Sequence, residues 1–287
     1  MTRYGFWGAP LALLLAVAGA SGAPLEWVDT YDQALSQARA DGKLVLLVLD
    51  SELCPWCAKL EQETLQADVV TAQGERFVAV KVSVAKDRDL GTKFAKSGVP
   101  QTVFLSASGQ QVGKVGGYVP ATVLAAQMRD AWAVREAPTE IAELKQAIAD
   151  RPRDAQALAR LGQLYVATDQ GQKAEPILKR AVEQAAELED SVAAGARLDL
   201  LITRLPAHDG ELAPEFTTWL EKNPQHDRLV EAQYYAGYAL ALKGDGQKAL
   251  DLWAKVTSAA PKSTYGILAA HYTTAVREAM QRRGNGG

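Results

Sequence analysis

Both cysteines of this 287-residue chain, Cys54 and Cys57, fall in the stretch Ser51-Glu-Leu-Cys-Pro-Trp-Cys-Ala-Lys-Leu60. The run before it, Lys43-Leu-Val-Leu-Leu-Val-Leu-Asp50, is almost continuously apolar and of strand length, as expected of a strand buried on both faces. After it, Leu60, Thr64 and Leu65 recur at helical spacing among Glu61, Gln62, Glu63 and Gln66. Pro55 falls where the first helical turn should be, and there its missing N–H costs nothing. The cysteine pair is therefore expected at a strand-to-helix junction, with Cys54 beside the positive end of the helix dipole.

That position bears on chemistry because the thiolate, not the thiol, is the nucleophile. At a helix N-terminus a Cys-X-X-Cys thiol can fall from its usual ~8.5 to ~3.5–7.5. Cys54, the more N-terminal sulfur, is expected to attack a substrate disulfide. Cys57, one helical turn on, is expected to resolve the mixed disulfide by attacking Cys54. The competing uses are a metal site and a structural staple. Zinc takes four ligands. The three histidines, His208, His226 and His271, all lie more than 150 residues away. Two intervening residues close too small a loop for a useful staple. Redox chemistry without a metal or other cofactor is the expectation.

The hydrophobic fraction of 48% and charged fraction of 23% are those of a soluble globular protein. A formal net charge of −3 gives no reason to expect nucleic acid or an anionic membrane as partner. The N-terminus reads as an export signal: Arg3, a short apolar core Leu11-Ala-Leu-Leu-Leu-Ala-Val17, then small residues at Ala18-Gly-Ala20. Cleavage after Ala20 is expected, because a cut after Ala23 would leave Pro24 immediately downstream. The alternative is an uncleaved anchor, which would call for a longer apolar run. No stable membrane insertion is expected once the signal is gone. A working cysteine pair suits an oxidising compartment, and the expected location is periplasmic.

From about residue 25 to 135 strand and helix patterns alternate. Tyr31–Ala40 carries the apolar stripe Ala34, Leu35 and Ala38. Phe77-Val-Ala-Val-Lys-Val-Ser-Val84 reads as a strand, Leu90–Lys96 as a short helix, Gln101–Leu105 as a strand and Gln110–Val115 as its hairpin partner. Ala121–Arg135 reads as a closing helix. With the Cys-X-X-Cys at a strand–helix junction, Val99-Pro100 before a strand some 45 residues later and a hairpin ending at Gly116-Gly117, the segment resembles a thioredoxin-fold domain. Trp27, Tyr31, Ala34-Leu35 and Gly42-Lys43 add a likeness to the exported thioredoxin-like subgroup with Cys-Pro-Trp-Cys centres. The resemblance implies a cis Pro100 packed against the cysteines, with Val99 lending backbone groups to a substrate peptide and Trp56 contacting substrate. The pattern departs from thioredoxins in two places. Leu53 replaces an aromatic before Cys54, and Val48 stands where thioredoxins carry a buried acid. Asp50, Glu52 and Lys81 are the candidates to replace that acid.

From Thr139 onward strand patterns vanish and alanine rises. Leu158, Leu161-Gly162, Tyr165, Ala174, Leu178 and Ala181 follow tetratricopeptide-repeat spacing, and Ala236-Gly237, Leu240, Ala249, Trp253, Val256 and Pro261 repeat it. Ile141–Ala149 reads as a leading half-repeat and Val192–Pro224 as a degenerate middle unit. The expected organisation is a signal peptide (1–20), an α/β thioredoxin-like domain (25–136) and an all-α tetratricopeptide-like helical solenoid (139–283). Such repeats bind proteins on their first helices. The matching positions are Gln156, Gln163 and Val166 in one repeat and Glu231, Tyr234 and Tyr238 in the last, with Tyr234 and Tyr238 as a partner-binding platform.

The function expected is an exported thiol–disulfide oxidoreductase acting on protein cysteines or disulfides, recharged by a separate redox partner. Its repeats would hold a protein near the dithiol. Two rivals stand beside it: a non-enzymatic adaptor or chaperone for envelope assembly, and a helper that keeps a client's haem-attachment cysteines reduced.

Overall fold

A computed structural model describes residues 24–208 and 210–284, so the expected signal at 1–20 lies outside the described residues. Among the described residues no helix is long and apolar enough to cross a membrane.

The first half is built on β2 (Leu44–Asp50), the strand that the apolar run predicts. It pairs parallel with β3 (Phe77–Ser83) and antiparallel with β4 (Gln101–Leu105). The edges of the five-stranded sheet are β1 (Glu26–Val28), beside β3, and β5 (Gln111–Gly116), beside β4. Leu44, Leu46 and Val48 face a core shared with Leu60, Leu65, Leu124 and Met128, while Val45, Leu47 and Leu49 face Ala34, Ala38, Leu90 and Phe94. Both faces are covered, hence no polar residue interrupts the strand before Asp50.

The helices of one layer are α1 (Tyr31–Asp41) and α4 (Arg88–Phe94). Thr30 and Gln33 close α1 with a capping box, and Gly42, in the left-handed region at φ 66°, ends it. The other layer holds α2 (Pro55–Leu60), which runs into a π turn at Glu61–Leu65, then α3 (Asp68–Thr71) and α5 (Ala121–Ala133).

From Ala137 the chain is helical: α6 (Ala137–Asp150), α7 (Ala155–Ala167), α8 (Gly171–Glu183), α9 (Asp190–Arg204), α10 (Ala213–Lys222), α11 (Leu229–Lys243), α12 (Gly246–Ala259) and α13 (Thr264–Gly284). In two of the hairpins the second helix presses a large side chain onto a glycine of the first. A Cβ on Gly162 would collide with Leu178, and one on Gly237 would sit 2.6 Å from Trp253 Nε1. The Trp253 indole donates to the Tyr234 carbonyl, and Trp219 of α10 does the same to Ala194 of α9. The middle unit therefore keeps a tryptophan clasp that its irregular spacing hides.

The two halves are fastened along β5. Gln111 Nε2 donates to the carbonyls of Thr168 and Asp169 at 2.9 and 3.0 Å, and Lys114 pairs with the Asp169 carboxylate at 3.2 Å. Asp169 takes a left-handed conformation (φ 53°) to present these groups from the α7–α8 turn. The outer face of β5, an open edge in an isolated sheet, thereby receives a cover.

Gly237→Ala is expected to destabilise the helical half by ~1–3 kcal/mol, since Trp253 is fully buried and has nowhere to retreat. A denaturant titration followed by tryptophan fluorescence measures it.

Candidate active site

Cys54 is the N-cap of α2 and Cys57 lies in its first turn. Pro55 holds the helical φ at N1, and the Cys57 backbone N–H points at Cys54 Sγ, 3.1 Å away. The two sulfurs are joined as a disulfide. Their environments differ: Cys54 is partly exposed, whereas Cys57 is only 7% exposed and packs inward. Unpaired amides and the helix dipole favour negative charge at Cys54 Sγ once the bond is opened.

The Val99–Pro100 bond is cis, and the Val99 carbonyl lies 3.7 Å from Cys54 Sγ. With that sulfur in a disulfide this is a packing contact and not a hydrogen bond. The Pro100 carbonyl accepts from the Gly117 N–H at 2.8 Å, and Gly117 has the positive φ (75°) that this return turn requires. Gln101, buried, donates from Nε2 to the Val115 carbonyl. The hairpin ending at Gly116-Gly117 thus holds the proline loop against the cysteines.

Leu53 is 93% exposed and Trp56 57% exposed, so Cys54 sits between two apolar side chains open to solvent. Trp56 packs against Tyr118, with ring centroids 6.0 Å apart and planes tilted by 37°. Lys59 Nζ lies 4.6 Å from the Tyr118 ring centre and 5.6 Å from that of Trp56. Tyr118 donates its hydroxyl to Glu63 at 2.7 Å, which pushes the phenol's pKa up. Buried Thr64 donates to the Val119 carbonyl at 2.6 Å. Tyr118, Lys59, Glu63 and Thr64 bind α2 and its π turn to the loop before α5, and sequence reasoning missed this clasp. The one local signal was Thr64, a polar residue in the apolar helical series.

Sheet register explains what surrounds Val48. Its partners are Lys81 on β3 and Thr102 on β4, all on one face. Lys81 reaches across to Glu61 at 2.7 Å. Asp50, two residues beyond Val48, has its pKa raised by burial; Lys81 and Lys86 oppose the shift, whereas Glu61 and Glu52 add to it. The Thr102 hydroxyl, in a residue only 1% exposed, has no hydrogen-bond partner.

In the repeats the expected tyrosine platform is corrected. Tyr234 is only 6% exposed and packs on Tyr235 and Tyr265, with ring centroids 5.0 and 5.5 Å away. Tyr238 is half-buried between Tyr234 and Tyr272. These rings hold α11 against α13, so Tyr234 cannot offer a docking face. Glu231 is likewise engaged, by Arg228 and the Tyr265 hydroxyl, each at 2.6 Å, and Val166 packs into the core. Gln156 and Gln163 do line a cleft of about 200 Å³ between α7 and α9, with Arg160, Gly195, Asp199 and Arg228. Burial works against the Arg228 charge, but hydrogen bonds to Asp199 and Glu231 outweigh it and hold the guanidinium protonated. His226 contacts the Ser191 carbonyl at 2.9 Å and belongs to the same wall.

Thr102→Val removes an unpaired hydroxyl at nearly constant shape and is expected to stabilise the protein by ~1 kcal/mol. A rise in the urea midpoint at unchanged slope is the expected measurement.

Residues 31–132 match the family profile of the thioredoxin-like domain, and residues 134–198 match that of the tetratricopeptide repeat. Over 111 residues the chain is 25% identical to the disulfide bond reductase DsbH of Chlamydia pneumoniae, covering 33% of this chain and 64% of that protein. The chain thus spans a little under two thirds of that relative's length. Among solved structures, a thioredoxin from Thermus thermophilus is 28% identical at a TM-score of 0.37, covering 40% of this chain and 93% of its own. A DsbH oxidoreductase is 22% identical at a TM-score of 0.35, covering 42% and 94%.

Proposed function

Because the chain carries a thioredoxin-like domain followed by a tetratricopeptide repeat, we propose that it is an exported thiol–disulfide oxidoreductase acting on protein cysteines through Cys54 and Cys57. The observation that carries this reading is the asymmetry of the pair, one sulfur open at a helix start and one buried a turn behind it. A client sulfur meets Cys54 first, and Cys57 acts from inside.

In the reducing direction the Cys54 thiolate attacks a client disulfide, forming a mixed disulfide and releasing one client thiolate. Cys57 then attacks Cys54 Sγ, the second client sulfur leaves, and the Cys54–Cys57 bond closes. Two electrons have passed to the client, and a separate dithiol protein returns them. Similarity to a protein named as a disulfide bond reductase favours this direction. Trp56 supplies apolar contact to the client, joined by Leu53, while the backbone at Val99, ahead of cis Pro100, supplies strand-type hydrogen bonds.

The repeats recruit a protein partner, and the surface that suits this is the cleft lined by Gln156 and Gln163, in place of the buried tyrosines. Tethering raises the effective concentration of a client at the dithiol, so a weak contact there is enough to bias substrate choice. The N-terminal pattern of Arg3, an apolar core and Ala18-Gly-Ala20 supports export to the periplasm.

Cys57→Ala is expected to accumulate clients covalently trapped on Cys54, visible as reducible adducts on a non-reducing gel, and the Cys54→Ser/Cys57→Ala pair to trap none. A Cys54→Ser protein with full cellular function would overturn the enzymatic reading. Gln156→Ala with Gln163→Ala is expected to lower client capture while leaving turnover of a small model disulfide unchanged. Equal loss of both would make the repeats a folding support only.

A further inference from the structure

The end of the sheet away from the dithiol opens into a cavity of about 590 Å³, where the two halves of the chain meet. Small-molecule sites span ~300–1,000 Å³. Strand β2 runs from Leu44 in the cavity wall to Asp50 near Cys54, so roughly 20 Å of strand separates the cavity from the cysteines. The thioredoxin-like half contributes the end of α1, the start of β2 and the β4–β5 turn. The helical half contributes α6, and Arg135 and Glu136 come from the stretch that joins α5 to it.

The wall is cationic. Arg39, Lys43 and Arg135 line it against one carboxylate, Glu136, although the whole chain has a net charge of −3. Arg39 donates from Nη2 to the Ala107 carbonyl at 3.2 Å, and among the described residues no carboxylate pairs with it. Lys43 is the stronger sign. Its side chain is only 19% exposed, yet the nearest carboxylate, Asp41, stands 3.9 Å away, beyond hydrogen-bond reach. Among the described residues its ammonium makes no hydrogen bond, and the nitrogen is not sealed in the interior. A largely desolvated ammonium without a partner is costly, and an oxyanion in the cavity would offset that cost. Arg135 stacks 4.7 Å from the Trp132 ring centre and reaches Glu136 only at 3.5 Å. Opposite, the Ser106 and Ser108 hydroxyls lie 2.8 Å apart; one proton bridges them and the other is left to donate.

Cations in the last turn of a helix also complement its dipole, which accounts for Arg39 on α1. The dipole does not account for Arg135, on another element, or for an ammonium drawn out of water without a hydrogen bond. We propose that this cavity binds a small organic polyanion, a molecule bearing two or more carboxylate or phosphate groups, through Arg39, Lys43 and Arg135. The bound anion fastens the thioredoxin-like half to α6. Guanidinium forks suit such oxyanions because two parallel N–H bonds can meet two oxygens. The site is remote from the cysteines and independent of the exchange chemistry.

Isothermal titration calorimetry on the full chain tests it, with citrate and pyrophosphate as separate probes and KCl at matched ionic strength as the control. One-to-one saturable binding of at least one probe is expected. Lys43→Met is expected to weaken it roughly tenfold or more and Arg39→Gln several-fold, whereas Lys145→Met, a cation of α6 outside the cavity, should change it by less than about twofold. The bound probe should raise the urea midpoint of the wild type and leave that of Lys43→Met in place. Turnover of a small model disulfide by Lys43→Met is expected to match the wild type. Should Lys43→Met fail to fold, Arg39→Gln, at an exposed position, carries the test. Heats no larger than those of KCl for both probes, or equal affinity in wild type and the cavity variants, would overturn the site. Binding of a hexaglutamate peptide without either probe would overturn the small-molecule assignment and give the cavity to acidic polypeptide.

Discussion

The strand β2 is buried on both faces, and the placement of the dithiol follows from it. Leu44, Leu46 and Val48 point into one helical layer and Val45, Leu47 and Leu49 into the other. A strand so enclosed, paired on both edges, cannot slip by one residue without exchanging its two faces, and its register is strongly specified. Its last residue, Asp50, is four positions before Cys54, so the rigid element hands the chain to α2 at a fixed place. The helix start, the N-cap sulfur and the proline at N1 then need only local chemistry.

The second requirement is that two loops converge on that helix start. The turn before Pro100 is held by Gly117, the loop after Gly117 is held to α2 by Tyr118 and Thr64, and Lys59 lies beside Trp56 and Tyr118. The contacts of Thr64 with Val119 and of Lys59 with Tyr118 link segments about 55–60 residues apart in the chain. They keep a partly exposed sulfur in a rigid setting while leaving Leu53 and much of Trp56 open to solvent.

The helical half contributes by attachment as much as by surface. Its α7–α8 turn grips the edge strand β5, and α13 packs on α5. Any protein held in the cleft between α7 and α9 is therefore held at a defined distance from the cysteines, not on a loose tether. The Asp199–Arg228–Glu231–Tyr265 chain of charge-assisted hydrogen bonds ties α9, α11 and α13 into one body around that cleft. Removing Arg228 would leave the buried Asp199 carboxylate without its charged partner.

Much of this was legible in the residues alone. A continuous apolar run of strand length, a proline one residue past a cysteine, alternating valines and the spacing of Gly162 with Leu178 are local patterns, and each corresponds to an element or a helix–helix contact. The cis bond at Pro100 agreed with the family resemblance, not with any local signal. Periodicity could not tell that Tyr234 faces inward, because a tyrosine one turn from another fits a surface platform and a packed interface equally well. Nor could it pair Val48 with Lys81 or carry Lys81 across to Glu61, since strand register and side-chain reach depend on segments distant in sequence. Sequence determined which residues are chemically capable and which elements present them. Tertiary structure decided which of them meet, because burial and register are properties of the packed whole.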